Sequence, residues 1–314
     1  MLRYALARLL NGLWSLAAVL VAGFLVIRLI PGDPVVQMLG INAKPETVAI
    51  VKADLGLDRP IWSQFVSFIG NAARGDFGTS IVKKVPVSSV IGGRIVTSVE
   101  LVAFAVLLSL LAALPIGVLA AVRRGRLADS AVRFGSMVAL AMPSFWLGLM
   151  LILLFGLRLE VLPVGGMRPG LGGAIQSLLL PAFTVACYLA PQLIRALRSA
   201  LIESMQSGYI EATRARGFAE LPVVARSAMK NSLTSVVSIL AINIGFLLSG
   251  TVVVEAVFQI PGMGSLLVQA VLTRDFPVIQ GLIVVFGALV VAINVGADLV
   301  NARLDPRVLA GMRR

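Results

Sequence analysis

An all-α membrane protein of six transmembrane helices is the fold class this sequence predicts, from its composition, the length of its apolar runs and the lack of alternation within them. Of 314 residues, 58% are hydrophobic and 13% charged, about half the charged share of an average soluble domain. A soluble core cannot cover that much apolar surface. Uncharged stretches near the roughly 20 residues that span hydrocarbon cover 9–27, 101–122, 134–157, 170–194, 231–254 and 276–297. Each stays apolar on every face along its length, whereas barrel strands need segments of about 10 residues with alternating polarity.

The first apolar run is too long for a secretory signal and lacks a small-residue cleavage site, so it reads as a retained helix. Cys187, the only cysteine, lies inside a predicted span and excludes an intramolecular disulfide. The sequence contains no histidine. Its absence excludes histidine general bases, histidine triads and imidazole metal sites, and no compact carboxylate or cysteine group replaces them. A membrane enzyme therefore lacks its chemistry here.

The net charge of +12 would suit nucleic acid, but its distribution fits orientation in a bilayer instead, and no nucleic-acid partner is expected. Arg3 and Arg8 precede the first span; Arg123, Arg124, Arg126 and Arg133 fill the second connection; Arg303, Arg307, Arg313 and Arg314 close the chain. The fourth connection adds Arg195, Arg198, Arg214, Arg216, Arg226 and Lys230, against Arg158, Arg168 and Arg274 on the opposite side. That bias predicts both termini in the cytoplasm.

The chain accordingly divides into a cytoplasmic N-terminus and first helix over 1–30, an extracytoplasmic segment over 31–94, a five-helix core over 95–303 and a cytoplasmic tail over 304–314. Within 31–94, Pro45 and Arg59-Pro60-Ile61 mark helix starts, and Gly75-Asp76-Phe77-Gly78-Thr79-Ser80 reads as a turn-rich loop. This segment reads either as a docking surface for a soluble partner or as a cap on the bundle. Pro115, Pro143, Pro181 and Pro191 stand where they can kink helices. Arg28, Glu255 and Asp298 sit near span ends, where they either anchor the helices or line a polar pathway.

The fourth connection, about 195–233, is too long for a turn and too basic for lipid. Ser207 is placed to cap a short helix from Gly208 to about Ala215, with Gly217 to end it, and Pro222 to start a second one. Such an elbow presents a rigid knob to a soluble partner, or lies as a basic amphipathic helix on anionic headgroups.

Within that elbow, Glu211-Ala212 followed by Gly217 resembles the EAA loop of permease subunits in binding-protein-dependent ATP-binding-cassette (ABC) importers. The wider run Tyr209-Ile210-Glu211-Ala212-Thr213-Arg214-Ala215-Arg216-Gly217 is similar to the oligopeptide and dipeptide branch. Further matches in order are Pro31-Gly32-Asp33-Pro34, Gly75 to Ser80, Met142 to Gly148, Val254-Glu255-x-Val257-Phe258, Pro261-Gly262-x-Gly264, Arg274-Asp275-x-Pro277 and Asp305-Pro306-Arg307. Two departures stand out: Thr213 replaces the motif's second alanine, and Ser235 stands where a leucine-proline is expected.

The resemblance implies a type I ABC importer permease fold with short extracytoplasmic and cytoplasmic coupling helices. It implies half of a translocation pathway in a bacterial inner membrane. The implied partners are a second homologous permease, two cytoplasmic ATP-binding subunits and an extracytoplasmic substrate-binding protein, with ATP and Mg on the ATPases. The chain has no Gly-x-x-x-x-Gly-Lys-Ser/Thr loop of its own, so energy must come from another chain. The rival reading is an ion-coupled secondary transporter, which needs titratable groups at mid-membrane; the span interiors hold Gln176, Asn243 and Asn294 but no carboxylate cluster.

Overall fold

The computed structural model describes residues 2–29, 35–36, 44–54, 56, 58–208, 210 and 228–304, with the side chains of 2–9, 26–29, 51, 54, 230–231 and 301–304 left out of the description. The described residues are helical almost throughout. α1 covers Leu2–Leu29, α2 Pro45–Asp54 and α3 Ile61–Ala73; α4 runs over Val87–Val122 and α5 over Leu127–Ala141. α6 spans Ser144–Leu151 and continues into a π-helical segment, Ile152–Arg158. α7 is Leu171–Met205, α8 Met229–Val257, α9 Met263–Leu272 and α10 Phe276–Leu304.

Within the described residues, four helices are long and apolar enough to cross a bilayer: Val87–Val122, Leu171–Met205, Ser232–Val257 and Phe276–Val300. The predicted third span is the fifth candidate, and it is not straight. Its halves, Leu127–Ala141 and Ser144–Arg158, meet at 99°. The break has a local cause. Met142 is extended at φ −77°, ψ 126° and Pro143 follows at φ −62°, ψ 133°, because a proline ring disfavours helical backbone in the residue before it and cannot donate to the turn behind it. Pro115, Pro181 and Pro191, by contrast, lie inside unbroken helices.

The helices outrun the apolar runs that predicted them, α4 and α7 by the most. α4 begins at Val87, so the first turns of this helix belong to the predicted extracytoplasmic segment. α7 continues past 194 to Met205, which corrects the position of Arg195 and Arg198: both are helical and not part of a loop.

α7 is the central helix. Leu189, Leu193, Leu197 and Leu201, spaced four apart along one stripe, are fully buried. α4 packs along one side of it and α8 along another, and α10 lies between α8 and α1. Small residues bring these helices together. Gly117 of α4 faces Leu197, while Gly12, Gly287 and Gly23 set α1 antiparallel to α10 by meeting Val291, Val19 and Ile283.

Candidate functional site

The predicted coupling residues Tyr209, Glu211, Ala212, Thr213, Arg214, Ala215, Arg216 and Gly217 lie outside the described residues. Ile210 is described and fully buried, its amide donating to the Ser207 carbonyl at 3.0 Å. The Ser207 hydroxyl donates back to the Ser204 carbonyl and closes the end of α7; most of the turn that Ser207 is predicted to cap lies outside the described residues.

The helix end that leads into this segment is pinned. Asp129, 1% exposed in the first turn of α5, accepts from Arg198 through both oxygens: Nε to Oδ1 at 2.6 Å and Nη2 to Oδ2 at 2.8 Å. The Gly125 amide donates to Oδ2 at 3.0 Å, and Arg133 stands 3.8 Å from Oδ1. A two-pronged guanidinium–carboxylate contact fixes orientation as well as distance. Removing one member of such a buried pair costs about 3–5 kcal/mol. Sequence reasoning counted Arg198 as a loop cation and passed over Asp129; the available signal was one acid set among four arginines at 123–133.

At the opposite end of the bundle, two carboxylates gather motifs that are far apart in sequence. α9 follows Gly262 and has no side-chain cap from that residue. Its first amides would be left without acceptors, as at any helix start. Other helices supply the acceptors. Met263 N donates to Ser98 Oγ of α4 at 2.8 Å; Gly264 N and Ser265 N donate to Glu255 Oε2 of α8 at 2.7 and 3.1 Å; Ser98 Oγ donates to Oε1 at 2.7 Å. A carboxylate at a helix N-terminus also meets the positive end of its dipole.

This arrangement decides between the two readings of Glu255: it is fully buried and holds three helices together. It also explains the glycines of Pro261-Gly262-x-Gly264. A Cβ on Gly262 would lie 2.2 Å from Glu255 Oε2, and one on Gly264 would lie 2.5 Å from the Val252 Cα. Ser98 was in no sequence motif, because a serine between Thr97 and Val99 carries no signal until a carboxylate from another helix faces it.

Asp275 does the same work for the loop before α4. Ser80 donates its hydroxyl to Oδ2, and the amides of Ile81 and Val82 donate to Oδ1 and Oδ2 at 3.1 and 3.4 Å. Ser80 Oγ in turn accepts from Lys83 N at 2.9 Å. The loop's shape begins earlier, where the Gly78 amide donates to Asp76 Oδ1 at 2.9 Å and Gly75 and Gly78 take φ of +72° and +76°. Thus Gly75 to Ser80 and Arg274-Asp275 form one unit. An Asp275→Ala chain is expected to release 80–85, raising the rate of tryptic cleavage after Lys83 or Lys84 about tenfold, as loss of roughly 1.4 kcal/mol of local stability would; immunoblots of the digested protein in detergent measure it.

A third feature is an open groove of about 1040 Å³ between α1, α8 and α10. Polar Asn11, Ser15, Ser238, Ser249, Asn294 and Asp298 interrupt its apolar walls. Asp298 thus faces the groove, while the side chain of Arg28 lies outside the described residues. Among the other polar residues of the spans, Asn243 donates to the Ile239 carbonyl of its own helix, and Gln176 accepts from Arg168 near the start of α7.

These features define a class: a multi-pass helical membrane protein whose shape is held at both ends by buried carboxylates. Residues 113–310 match the family described as binding-protein-dependent transport system inner membrane component, and residues 1–102 match its N-terminal region. The chain belongs to this family of inner-membrane permease components. A Brucella abortus relative, provisionally named a peptide transport system permease protein, is 36% identical over 306 residues, 96% of this chain and 98% of the relative. The glutathione transport system permease protein GsiC of Salmonella choleraesuis is 35% identical over 308 residues, 98% of this chain and 99% of the relative. A chain from inward-facing structures of the MetNI methionine ABC transporter superposes with a TM-score of 0.56 at 18% identity, covering 69% of this chain and 96% of that one. At that identity the likeness is one of fold. Family and fold leave the ion-coupled reading without support.

Proposed function

We propose that this permease forms half of the translocation pathway of an ATP-driven importer for peptides or a peptide-like solute such as glutathione. The observation that carries the reading is end-to-end similarity to permeases named for those two solutes. In this reading α1 is the sixth span. Its 28 residues measure about 42 Å at 1.5 Å per residue, although the apolar stretch among its described side chains is the shorter Leu10–Leu25. Both termini and the Asp129 end face the cytoplasm, in keeping with the basic connections. The Glu255–Asp275 end faces outward, toward an external binding protein.

The partners in this proposal are a second, homologous permease and two cytoplasmic ATPase subunits that carry ATP and Mg. The segment at 209–217 seats in the ATPases. ATP binding draws these seats together and favours the outward-open state, and hydrolysis resets it. The buried ties around Glu255 and Asp275 keep the outer end rigid, so displacement at the inner end reaches it undissipated.

The test is reconstitution of the co-purified complex in liposomes with the ATPases facing the lumen, ATP enclosed there and the co-purifying binding protein added outside. Uptake of labelled trialanine or glutathione is expected to require ATP and all partner chains. Uptake that follows an imposed proton or sodium gradient without ATP would overturn the reading.

A further inference from the structure

The Asp129–Arg198 contact lies where the fold needs a mechanical joint, and no motif of the sequence claimed it. Arg198 sits seven residues before the end of α7, about 10 Å at 1.5 Å per residue. Beyond that end lies the segment that holds Glu211 and Gly217. Asp129 sits just after the turn from α4 to α5, and the Gly125 amide in that turn donates to the same carboxylate. One residue before Arg198, Leu197 packs on Gly117 of α4, where an added Cβ would come within 3.0 Å of it. Ala120, Ala121, Leu197 and Leu201 around this contact are buried.

Apolar packing alone lets one helix slide or roll on another by 1–2 Å at small cost. A bidentate ion pair with both partners largely out of water resists that motion, because a small rotation breaks both bonds at once. Arg133 on the next turn of α5 adds a second cation beside Oδ1, so the carboxylate is held from its own helix as well.

We infer that Asp129 and Arg198 are positioning residues for energy coupling: their clamp makes the end of α4, the start of α5 and the end of α7 a single lever, so that a push on the coupling segment moves three helices together. This inference rests on the proposed role of 209–217. Without the clamp, α7 alone would take up the displacement. The bend at Met142–Pro143 then has a use, since it lets the first half of the broken span travel with α7 while the second half stays with the outer scaffold.

The experiment uses the full complex with its ATPases and a Cys187→Ser background. Nitroxides are placed at Leu127→Cys and Glu203→Cys, both exposed positions on the two sides of the clamp. Pulsed electron paramagnetic resonance measures their separation without nucleotide and after trapping with ATP and vanadate. With Asp129 and Arg198 intact, the separation is expected to change by less than about 2 Å, the scale of a single helix shift. In Asp129→Asn or Arg198→Gln complexes it is expected to broaden and to shift between the two states while ATP hydrolysis continues. Arg198→Lys, which keeps the charge but loses the fork, is expected to behave like Arg198→Gln.

A clamp that serves folding alone would lower the yield of both variants yet leave the assembled complexes with the native, state-independent separation; that result overturns the inference. So does a large change of separation in the unaltered clamp. A second label pair, Glu203→Cys with Leu272→Cys at the far end, isolates the underlying reading. If that distance also ignores nucleotide, the coupling role of 209–217 fails and the lever with it.

Discussion

A Glu255→Ala chain is expected to lose on the order of 10 °C of thermal stability in detergent and to reach the membrane at reduced abundance. The substitution strips the acceptor from three donors at once: the Ser98 hydroxyl and the amides of Gly264 and Ser265. Ser98 and Gly264 are buried and Ser265 is half-buried, and each donor left unsatisfied away from water costs about 1–3 kcal/mol. Allowing for relaxation, the net loss is about 3–5 kcal/mol, the range found when a buried charged partner is removed. At 2–4 °C per kcal/mol for a domain of this size the shift follows.

Glu255→Gln is the informative companion. Its amide oxygen still accepts from the α9 amides, and its NH₂ can donate to Ser98 Oγ. Only the charge at the helix terminus and the strength of the charge-assisted bonds disappear, a loss of about 1–2 kcal/mol. Gly262→Ala is expected to match Glu255→Ala, since its Cβ would occupy the space of the carboxylate. Thermal melts read by size-exclusion chromatography rank the three. Equal melting temperatures for Glu255→Ala and the unaltered chain would show that the α9 amides find other acceptors.

Gly217→Asp is expected to abolish productive coupling while leaving insertion intact. The residue lies outside the described residues, so this expectation comes from the resemblance to the EAA loop. If Gly217 ends a helix there, as the sequence predicts, an aspartate would lose the φ freedom that glycine supplies and would add charge beside the small Ala212 and Ala215. Uptake of trialanine or glutathione per complex should fall about 100-fold, equal to about 2.7 kcal/mol of lost coupling, near the upper end for allosteric linkage. ATP hydrolysis by the complex should persist. The chain should still appear in membranes at normal abundance, because no span is touched. Ala212→Asp is expected to give the same separation of hydrolysis from transport. Normal uptake in either variant would remove the seat from 209–217.

Much of the architecture was legible in the chain itself. Composition and unbroken apolar length report transfer from water to hydrocarbon, a property that each segment carries alone. The family could be read the same way, because its motifs are short and contiguous. The break at Met142–Pro143 was half legible: proline announces a lost donor, but Pro115, Pro181 and Pro191 announce the same loss and lie in continuous helices. The residue type alone therefore does not say which proline becomes a bend.

What the tertiary structure decided was pairing. Sequence could list Glu255, Gly262 and Gly264, yet nothing in the chain says that the glutamate caps the helix those glycines begin, or that Ser98, 157 positions away, completes the cap. Nor could it join Ser80 to Asp275, or turn Arg198 from a loop cation into the partner of Asp129. Hydropathy is additive along the chain and survives in one dimension. A hydrogen bond between buried groups depends on where two distant helices meet, and that exists only once the bundle has packed.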